Sequence, residues 1–278
     1  MQTAIKAVGF ALAVLAAASS GRAQQVAYTG SVNYANGDYI FTERTSSVYL
    51  FNGISVSSAR VSVAANLPLI YQTTPWVSYS TIGAIPSGGS TGSDAGRGSD
   101  RRSSGATPTA ITDTATYSDF GIGDPTIHAG AFVVTEGSSR PSIQLFGDVK
   151  IPVADVERGF GTGAWDFGAG LNLSKGLGRT FITAGVAYWA LGDMPDLELK
   201  ENIGYGVSVG WLPGYRVAAV VSFSGYTQII EGQDPPLLLT AVGSYLFSAG
   251  RSLSASIGLG LTESSPDFSL GIGWRVGM

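Results

Sequence analysis

The 278-residue sequence has no cysteine, a single histidine and only 13% charged residues. The absence of cysteine excludes a disulfide framework and a lipid-modified N-terminal cysteine, so stability must come from the fold itself. No apolar run after residue 18 reaches the roughly 20 residues that a membrane-spanning helix needs. Nevertheless 44% of the residues are hydrophobic, and the mean hydropathy is +0.21. The apolar residues are therefore distributed along the chain and not gathered in helices.

Residues 1–23 have the features of a secretory signal peptide. Lys6 precedes an apolar stretch over residues 7–18, and Gly21-Arg22-Ala23 is a small-x-small cleavage site. The alternative is a membrane anchor, but about twelve apolar residues are too few to span a bilayer. The sequence therefore predicts an exported chain whose mature part starts near residue 24.

Strict alternation of apolar and small or polar residues runs through the C-terminal part of the chain. On the last strand one face would carry Phe268, Leu270, Ile272, Trp274, Val276 and Met278. A period of two indicates a β-strand, because helical side chains repeat every 3.6 residues. Runs of about ten such residues are typical of strands that cross an outer membrane at a tilt. In lipid these strands must close into a barrel, since an open sheet edge leaves backbone groups unpaired.

Breaks between the runs predict about twelve strands, near residues 26–36, 44–54, 59–72, 119–134, 142–153, 165–175, 179–191, 202–212, 215–225, 236–247, 252–263 and 268–278. Tight connections alternate with longer ones, of which Thr73–Ser118 is the longest. Short periplasmic turns and longer extracellular loops produce this asymmetry and put both chain ends in the periplasm. We therefore predict an all-β protein, a single antiparallel transmembrane β-barrel over residues 24–278, with an extracellular loop at 73–118.

The charges are sorted between the two predicted ends of the barrel. Seven basic residues and one acidic residue lie at the periplasmic rim, a net charge of about +6. The outer half of the mature chain has 19 acidic and seven basic residues, a net charge of about −12. Fields of this kind attract ions of one sign toward one mouth.

The segment Ser80–Thr109 is poor in apolar residues and rich in glycine and serine. Such a composition buries too little surface to order itself, which favours a mobile outer loop over a loop folded inward as a constriction. Its arginines alternate with aspartate, and no aromatic residue follows Thr81 within it. Nucleic acid binding is therefore not expected, because the segment has no surface on which bases could stack.

If the apolar face meets lipid, the opposite face lines the interior. The candidate pore-lining residues are Asp124, Thr126, His128, Gln144, Asp148, Lys150, Asp166, Asn172, Arg60, Arg216 and Arg275. This face is hydrophilic and interspersed with glycine, which predicts a water-filled pore. The aspartates would lie near the outer mouth and the arginines at the inner mouth. The alternative is that the carboxylates pair with Lys150 and only stiffen the wall.

Catalysis and cofactors are not expected. His128 is the single histidine, so a serine nucleophile would need it as its base. Its neighbours Ile127, Ala129 and Gly130 include no serine, so the His-x-Ser arrangement of the outer-membrane phospholipase is absent. Without cysteine, a metal site is limited to a carboxylate site for a hard cation, and we predict none.

Three glycine- and aromatic-rich stretches resemble a known family. They are Phe120-Gly121-Ile122-Gly123-Asp124-Pro125, the segment from Gly161 to Gly170 around Trp165-Asp166, and Tyr188-Trp189-Ala190-Leu191-Gly192-Asp193. They are similar to the outer-membrane transporter-like family named for its association with the meta-pathway of phenol degradation. The resemblance implies a barrel and the uptake of small aromatic or hydrophobic compounds.

The combined expectation is a bacterial outer-membrane channel for passive uptake of small solutes. Its expected partners are outer-membrane lipid, lipopolysaccharide, the barrel-assembly machinery and the solute. The alternatives are a barrel that transports nothing and acts at the cell surface or in envelope integrity, an outer-membrane hydrolase, and a soluble ligand-binding barrel with its apolar face inward.

Overall fold

A computed structural model describes residues 25–41, 44–87, 118–194 and 197–278. The predicted signal peptide lies outside these residues. The elements are β1 (Gln25–Gly37), β2 (Thr45–Ser57), β3 (Val61–Gln72), β4 (Val77–Ser80), β5 (Gly83–Pro86), β6 (Asp119–Ile122), β7 (Thr126–Val134), β8 (Ser142–Lys150), β9 (Asp166–Leu177), β10 (Thr180–Ala190), β11 (Asn202–Trp211), β12 (Val217–Tyr226), β13 (Leu237–Ser248), β14 (Arg251–Gly260) and β15 (Phe268–Gly277).

The sheet closes on itself as an antiparallel barrel of twelve strands. Consecutive strands pair from β7 to β15, β15 pairs with β1, and β1 pairs with β2 and β2 with β3. The remaining gap is closed by β3, which pairs with both β6 and β7. Each of the twelve predicted strands overlaps one strand of the barrel, so the predicted fold class is confirmed. The described residues include no helix long and apolar enough to cross a membrane.

The fourth barrel strand is interrupted, whereas the sequence predicts it as continuous over 119–134. Its outer part, β6, and its inner part, β7, are separated by Gly123-Asp124-Pro125. Pro125 has no backbone N–H for the ladder, while the Gly123 N–H donates to the Pro68 carbonyl at 2.9 Å. The interruption lets Asp124 leave the strand pattern and be fully buried.

The outer surface of the barrel is apolar along the strands. Ile257 and Ile272 are 50% and 56% exposed, whereas the residues that precede them, Ser256 and Gly271, are half-buried and buried. The alternation read from the sequence therefore has its apolar face outward, as in membrane barrels. This orientation contradicts the soluble ligand-binding barrel, in which apolar side chains would face inward.

Strands β4 and β5 form a hairpin that is separate from the barrel wall. We call residues 77–86 the lumen hairpin, because its side chains pack against opposite walls of the barrel interior. Tyr79 contacts Tyr49 on β2, with ring centroids 5.4 Å apart, and Ile85 packs in a cluster with Trp189 on β10. The predicted mobile outer loop is therefore wrong for residues 80–87, and the rest of that segment, 88–109, lies outside the described residues.

Candidate functional site

A buried ion cluster lies at the outer end of the barrel. Lys150 at the end of β8 has its Nζ atom 3.2 Å from Asp124 Oδ2 and 3.2 Å from Asp166 Oδ2, and all three side chains are fully buried. Lys150 also donates to the Thr162 hydroxyl. Strand pairing brings Lys150 beside Asp166. Charges so far from water persist only when paired and hydrogen-bonded, so this cluster is a structural unit.

The two carboxylates of the cluster hold other segments in place. Asp124 Oδ1 accepts the N–H groups of Val153 and Ala154 at 2.8 Å each. Asp166 Oδ2 accepts the Ser80 hydroxyl at 3.2 Å and the Thr81 hydroxyl at 3.1 Å, both in the lumen hairpin. Asp166 therefore ties the hairpin to the barrel wall.

The pore-lining prediction is wrong for Asp124, Lys150 and Asp166, because none of them is exposed. For Asp124 and Asp166 the alternative holds, since both pair with Lys150. The sequence alternation placed these side chains on the inner face, but it does not contain the long-range packing that covers them. The lumen hairpin and the loop over residues 151–165 supply that cover.

Asp148 does not join the cluster and pairs with His128. The two side chains face each other across β7 and β8, with His128 Nδ1 and Asp148 Oδ1 2.9 Å apart. The imidazole also packs near Phe146, with ring centroids 5.7 Å apart. Among the described residues, no serine hydroxyl hydrogen-bonds to this ring, and no group of three or more acidic or histidine side chains is arranged to hold a metal.

The other candidate residues are spread along the lumen. Thr126 lies beside Lys150 in the strand register, and Gln144 lies beside Asn172. Arg275, half-buried on β15, pairs in register with Ser252 at the inner end. Arg60 and Arg216 are exposed in inner turns. The pore-lining role of these residues, and of His128 and Asp148, stays a prediction.

Beneath the outer end lies an aromatic cavity that the candidate residues do not include. This outer cavity has a volume of about 300 Å³. Four tyrosines, one phenylalanine and one serine are among its lining residues: Tyr39, Tyr49, Tyr79, Tyr226, Phe51 and Ser264. The rings of Phe51 and Tyr79 contact each other at a centroid distance of 5.7 Å, so the lumen hairpin forms one of its walls.

Tyr39 is held in an unusual conformation at the edge of the outer cavity. Its φ angle is +54°, a left-handed value that is rare for a bulky side chain. It packs in a buried cluster with Phe41, Trp76 and Val77. Burial raises the pKa of the Tyr39 hydroxyl well above its usual value, with smaller contributions from Tyr49 and Asp267. The hydroxyl therefore stays protonated and can donate a hydrogen bond.

Arg44 fastens the loop that contains Tyr39. Its guanidinium lies 2.8 Å from Asp38 and also pairs with Asp267, in the loop between β14 and β15. It further donates to Asn36 at 2.9 Å. These contacts connect two outer loops above the cavity.

Two further cavities follow toward the inner end. The middle cavity, of about 260 Å³, is lined by Phe146, Asn172, Trp189 and small residues of β10–β12. Tyr226 lines both the outer and the middle cavity. The inner cavity, of about 660 Å³, lies at the rim with Arg179, Arg216 and Ser252 in its wall. Glycine makes room for the aromatic residues, since a Cβ at Gly168 would overlap the Trp189 ring.

A sequence signal for the aromatic cavity exists in β2. From Val48 to Phe51 this strand is apolar on both faces, which indicates burial on both sides of the sheet. Tyr49 is 6% exposed on the inner face, while Ile54, on the outer face, is 56% exposed. The inner face of β2 packs against the lumen hairpin, which the sequence does not predict because residues 77–86 have no strong strand pattern.

Comparison with known proteins agrees with this architecture. The family model described as "Putative MetA-pathway of phenol degradation" matches residues 29–276. The COG4313 outer membrane channel from Pseudomonas putida F1 has 11% sequence identity and a TM-score of 0.61, over 94% of this chain and 98% of that one. The CymD monoaromatic hydrocarbon channel has 8% identity and a TM-score of 0.48, over 97% and 92% of the two chains. No curated protein matches the sequence.

Proposed function

The chain belongs to the family described as "Putative MetA-pathway of phenol degradation", and on that premise we propose that it is an outer-membrane channel. Its function would be the passive uptake of small aromatic or hydrophobic solutes, without a cofactor. The barrel fold, shared with the COG4313 outer membrane channel, supports the outer-membrane location.

One observation carries the proposal: the lumen contains three cavities in sequence, of about 300, 260 and 660 Å³. The first is lined by aromatic rings, and the last combines arginine and serine with the apolar side chains of Tyr215, Tyr245 and Leu246. Ligand sites of this volume, mainly apolar with a few polar groups, suit small molecules. A solute that enters at the outer mouth would pass Tyr226 from the outer into the middle cavity.

The surroundings of this channel follow from the same proposal. Residues 1–23 would direct export and be removed, and the barrel-assembly machinery would insert the mature chain. Lipid and lipopolysaccharide would contact the apolar belt. The transporting role also favours a protein that is not an enzyme, and the His128–Asp148 pair, 2.9 Å apart, would act as a polar wall contact.

A flux measurement tests the proposal directly. The purified barrel in liposomes should admit a small aromatic solute faster than protein-free liposomes do, and it should conduct ions in a planar bilayer. Absence of both activities in a folded, heat-modifiable barrel would favour the surface or envelope role. Ester or peptide cleavage, lost on His128→Ala, would favour the hydrolase.

A further inference from the structure

The outer cavity contains polar groups that the surrounding protein does not use. The Tyr39 and Ser264 hydroxyls are both buried and line the cavity. Neither hydroxyl oxygen has a hydrogen-bond partner among the described residues. A buried hydroxyl without a partner costs free energy, so two of them on one cavity indicate that something else supplies the partner.

The rest of the wall defines the shape of that partner. Tyr49, Phe51 and Tyr79 form a continuous aromatic surface, with centroid distances of 5.4, 5.7 and 6.2 Å between their rings. Offset and tilted aromatic contacts at these distances are favourable. The volume, about 300 Å³, exceeds the roughly 150 Å³ of an apolar cavity that accepts benzene.

We propose that the outer cavity is a binding site for a single-ring aromatic molecule with an oxygen substituent, which hydrogen-bonds to Tyr39 and Ser264 while the ring packs on Tyr49, Phe51 and Tyr79. The inference rests on the proposed function, and it adds a substrate class and a location. Such a site prefers an oxygenated ring over a hydrocarbon of the same shape, because only the oxygen satisfies the buried hydroxyls.

The left-handed backbone of Tyr39 supports this role. Strained residues in otherwise well-packed structures cluster at ligand sites. Tyr39, at φ +54°, is fixed from both sides, by the cluster of Phe41 and Trp76 and by the Arg44 contacts to Asp38 and Asp267. Its hydroxyl is thus positioned before any ligand arrives.

Equilibrium dialysis of the full barrel in lipid nanodiscs tests the site, with empty nanodiscs as the blank. Para-cresol and para-xylene are the probes, since they differ by a hydroxyl in place of a methyl group. Wild-type protein should bind para-cresol more tightly. Tyr39→Phe should weaken para-cresol binding about tenfold and leave para-xylene binding unchanged. Ser264→Ala should have the same selectivity with a smaller effect, and Tyr79→Ala should weaken both probes.

Tyr71→Phe is the matched control, because Tyr71 on β3 is 40% exposed on the outer face of the barrel and lines none of the three cavities. This variant should bind both probes as wild type does. Tyr39→Phe should also keep the unfolding stability of the empty barrel, since its hydroxyl has no hydrogen-bond partner to lose within the described part of the chain. Equal affinities for the two probes, or equal losses in Tyr39→Phe, would overturn the site. If para-xylene passes through the wild-type barrel but both probes bind equally well, the channel function stands and the binding site is overturned. If the barrel binds para-cresol more tightly but admits neither solute, the binding site stands and the channel function is overturned.

Discussion

The two halves of the lumen are built differently although the same twelve strands form both. The outer half is packed like the core of a soluble domain, with a buried Lys150 cluster and a hairpin between opposite walls. The inner half has short polar side chains, glycine and exposed arginines. Lipid requires apolar side chains over the whole outer surface, so the two ends of the barrel can differ only in the side chains that face the lumen.

The largest expected effect separates the charges of the two halves. Lys150→Met removes the cation that pairs with both Asp124 and Asp166 and leaves two fully buried carboxylates without it. We expect a loss of about 3–5 kcal/mol in unfolding free energy. Arg275→Met at the inner end should cost less than about 1 kcal/mol, since half-exposed charges contribute little. Denaturant unfolding in lipid vesicles measures both, and equal losses would remove the distinction between the halves.

On the membrane-spanning strands, the effect of an introduced charge on stability should depend on whether the side chain faces lipid or the lumen, and not on which half of the barrel it lies in. Ile257→Arg puts a charge on the apolar belt, where Ile257 is 50% exposed, and should cost about 2–4 kcal/mol near the bilayer midplane. Ser256→Arg, one residue away and facing the lumen, should cost little. The same unfolding assay compares them. If both variants are destabilised alike, the side of the sheet that faces lipid has been misassigned.

The hairpin contacts of Asp166 provide the next test. Ser80→Ala combined with Thr81→Val removes two hydroxyl donors to Asp166, each contributing about 1 kcal/mol. The hairpin should then leave the lumen more often, which raises single-channel conductance. Ser78→Ala is the control, because Ser78 bonds at 2.8 Å to Ser87 near the hairpin's own end. Unchanged conductance in the double variant, with normal folding, would mean that the hairpin does not limit passage.

The two halves of the lumen also differ in how much of their structure the sequence predicts. The alternating pattern predicts all twelve strands and the side of the sheet that faces lipid, because a period of two depends on local backbone geometry. The hairpin at 77–86 was missed because its four-residue strands are too short for a periodic signal and are stabilised by residues far along the chain, such as Tyr49 and Trp189.

The candidate site follows the same division. The sequence correctly places Asp166 and Lys150 on the inner face of the barrel. It does not predict their burial, because that depends on contacts between distant residues, such as the Ser80–Asp166 hydrogen bond across 86 positions. Tyr39 was not predicted at all, because its turn has a left-handed tyrosine where sequence rules expect glycine or asparagine. Such a conformation follows from packing and not from local preference.

Ion selectivity should depend on the partly exposed Asp148 and not on the fully buried Asp166. The Asp148 side chain is 14% exposed and that of Asp166 is not exposed. Asp148→Asn should therefore shift the reversal potential under a salt gradient toward anions, and the shift should shrink from 0.1 M to 1 M salt as the screening length falls from about 10 Å to about 3 Å. Asp166→Asn should leave the potential unchanged in channels with the hairpin in place. A larger shift for Asp166→Asn than for Asp148→Asn would mean that Asp166 lines the pore after all.

The smallest effect belongs to the inner rim, where Glu136 accepts the Gly176 N–H at 2.9 Å and pairs with Lys175 at 3.2 Å. The Gly176 hydrogen bond first, and then Lys175, lower the pKa of the Glu136 carboxyl below its usual 4.5. A lowered pKa means that the carboxylate stabilises the folded turn above pH 4.5 and that this contribution is lost as the pH falls through the folded-state value. An NMR titration of the labelled carboxyl should therefore give a midpoint below 4.5. Lys175→Met should raise the midpoint only part of the way, because the backbone donor remains. A midpoint at the ordinary value in wild-type protein would mean that the turn is open in solution, and the inner rim would then lack even this local order.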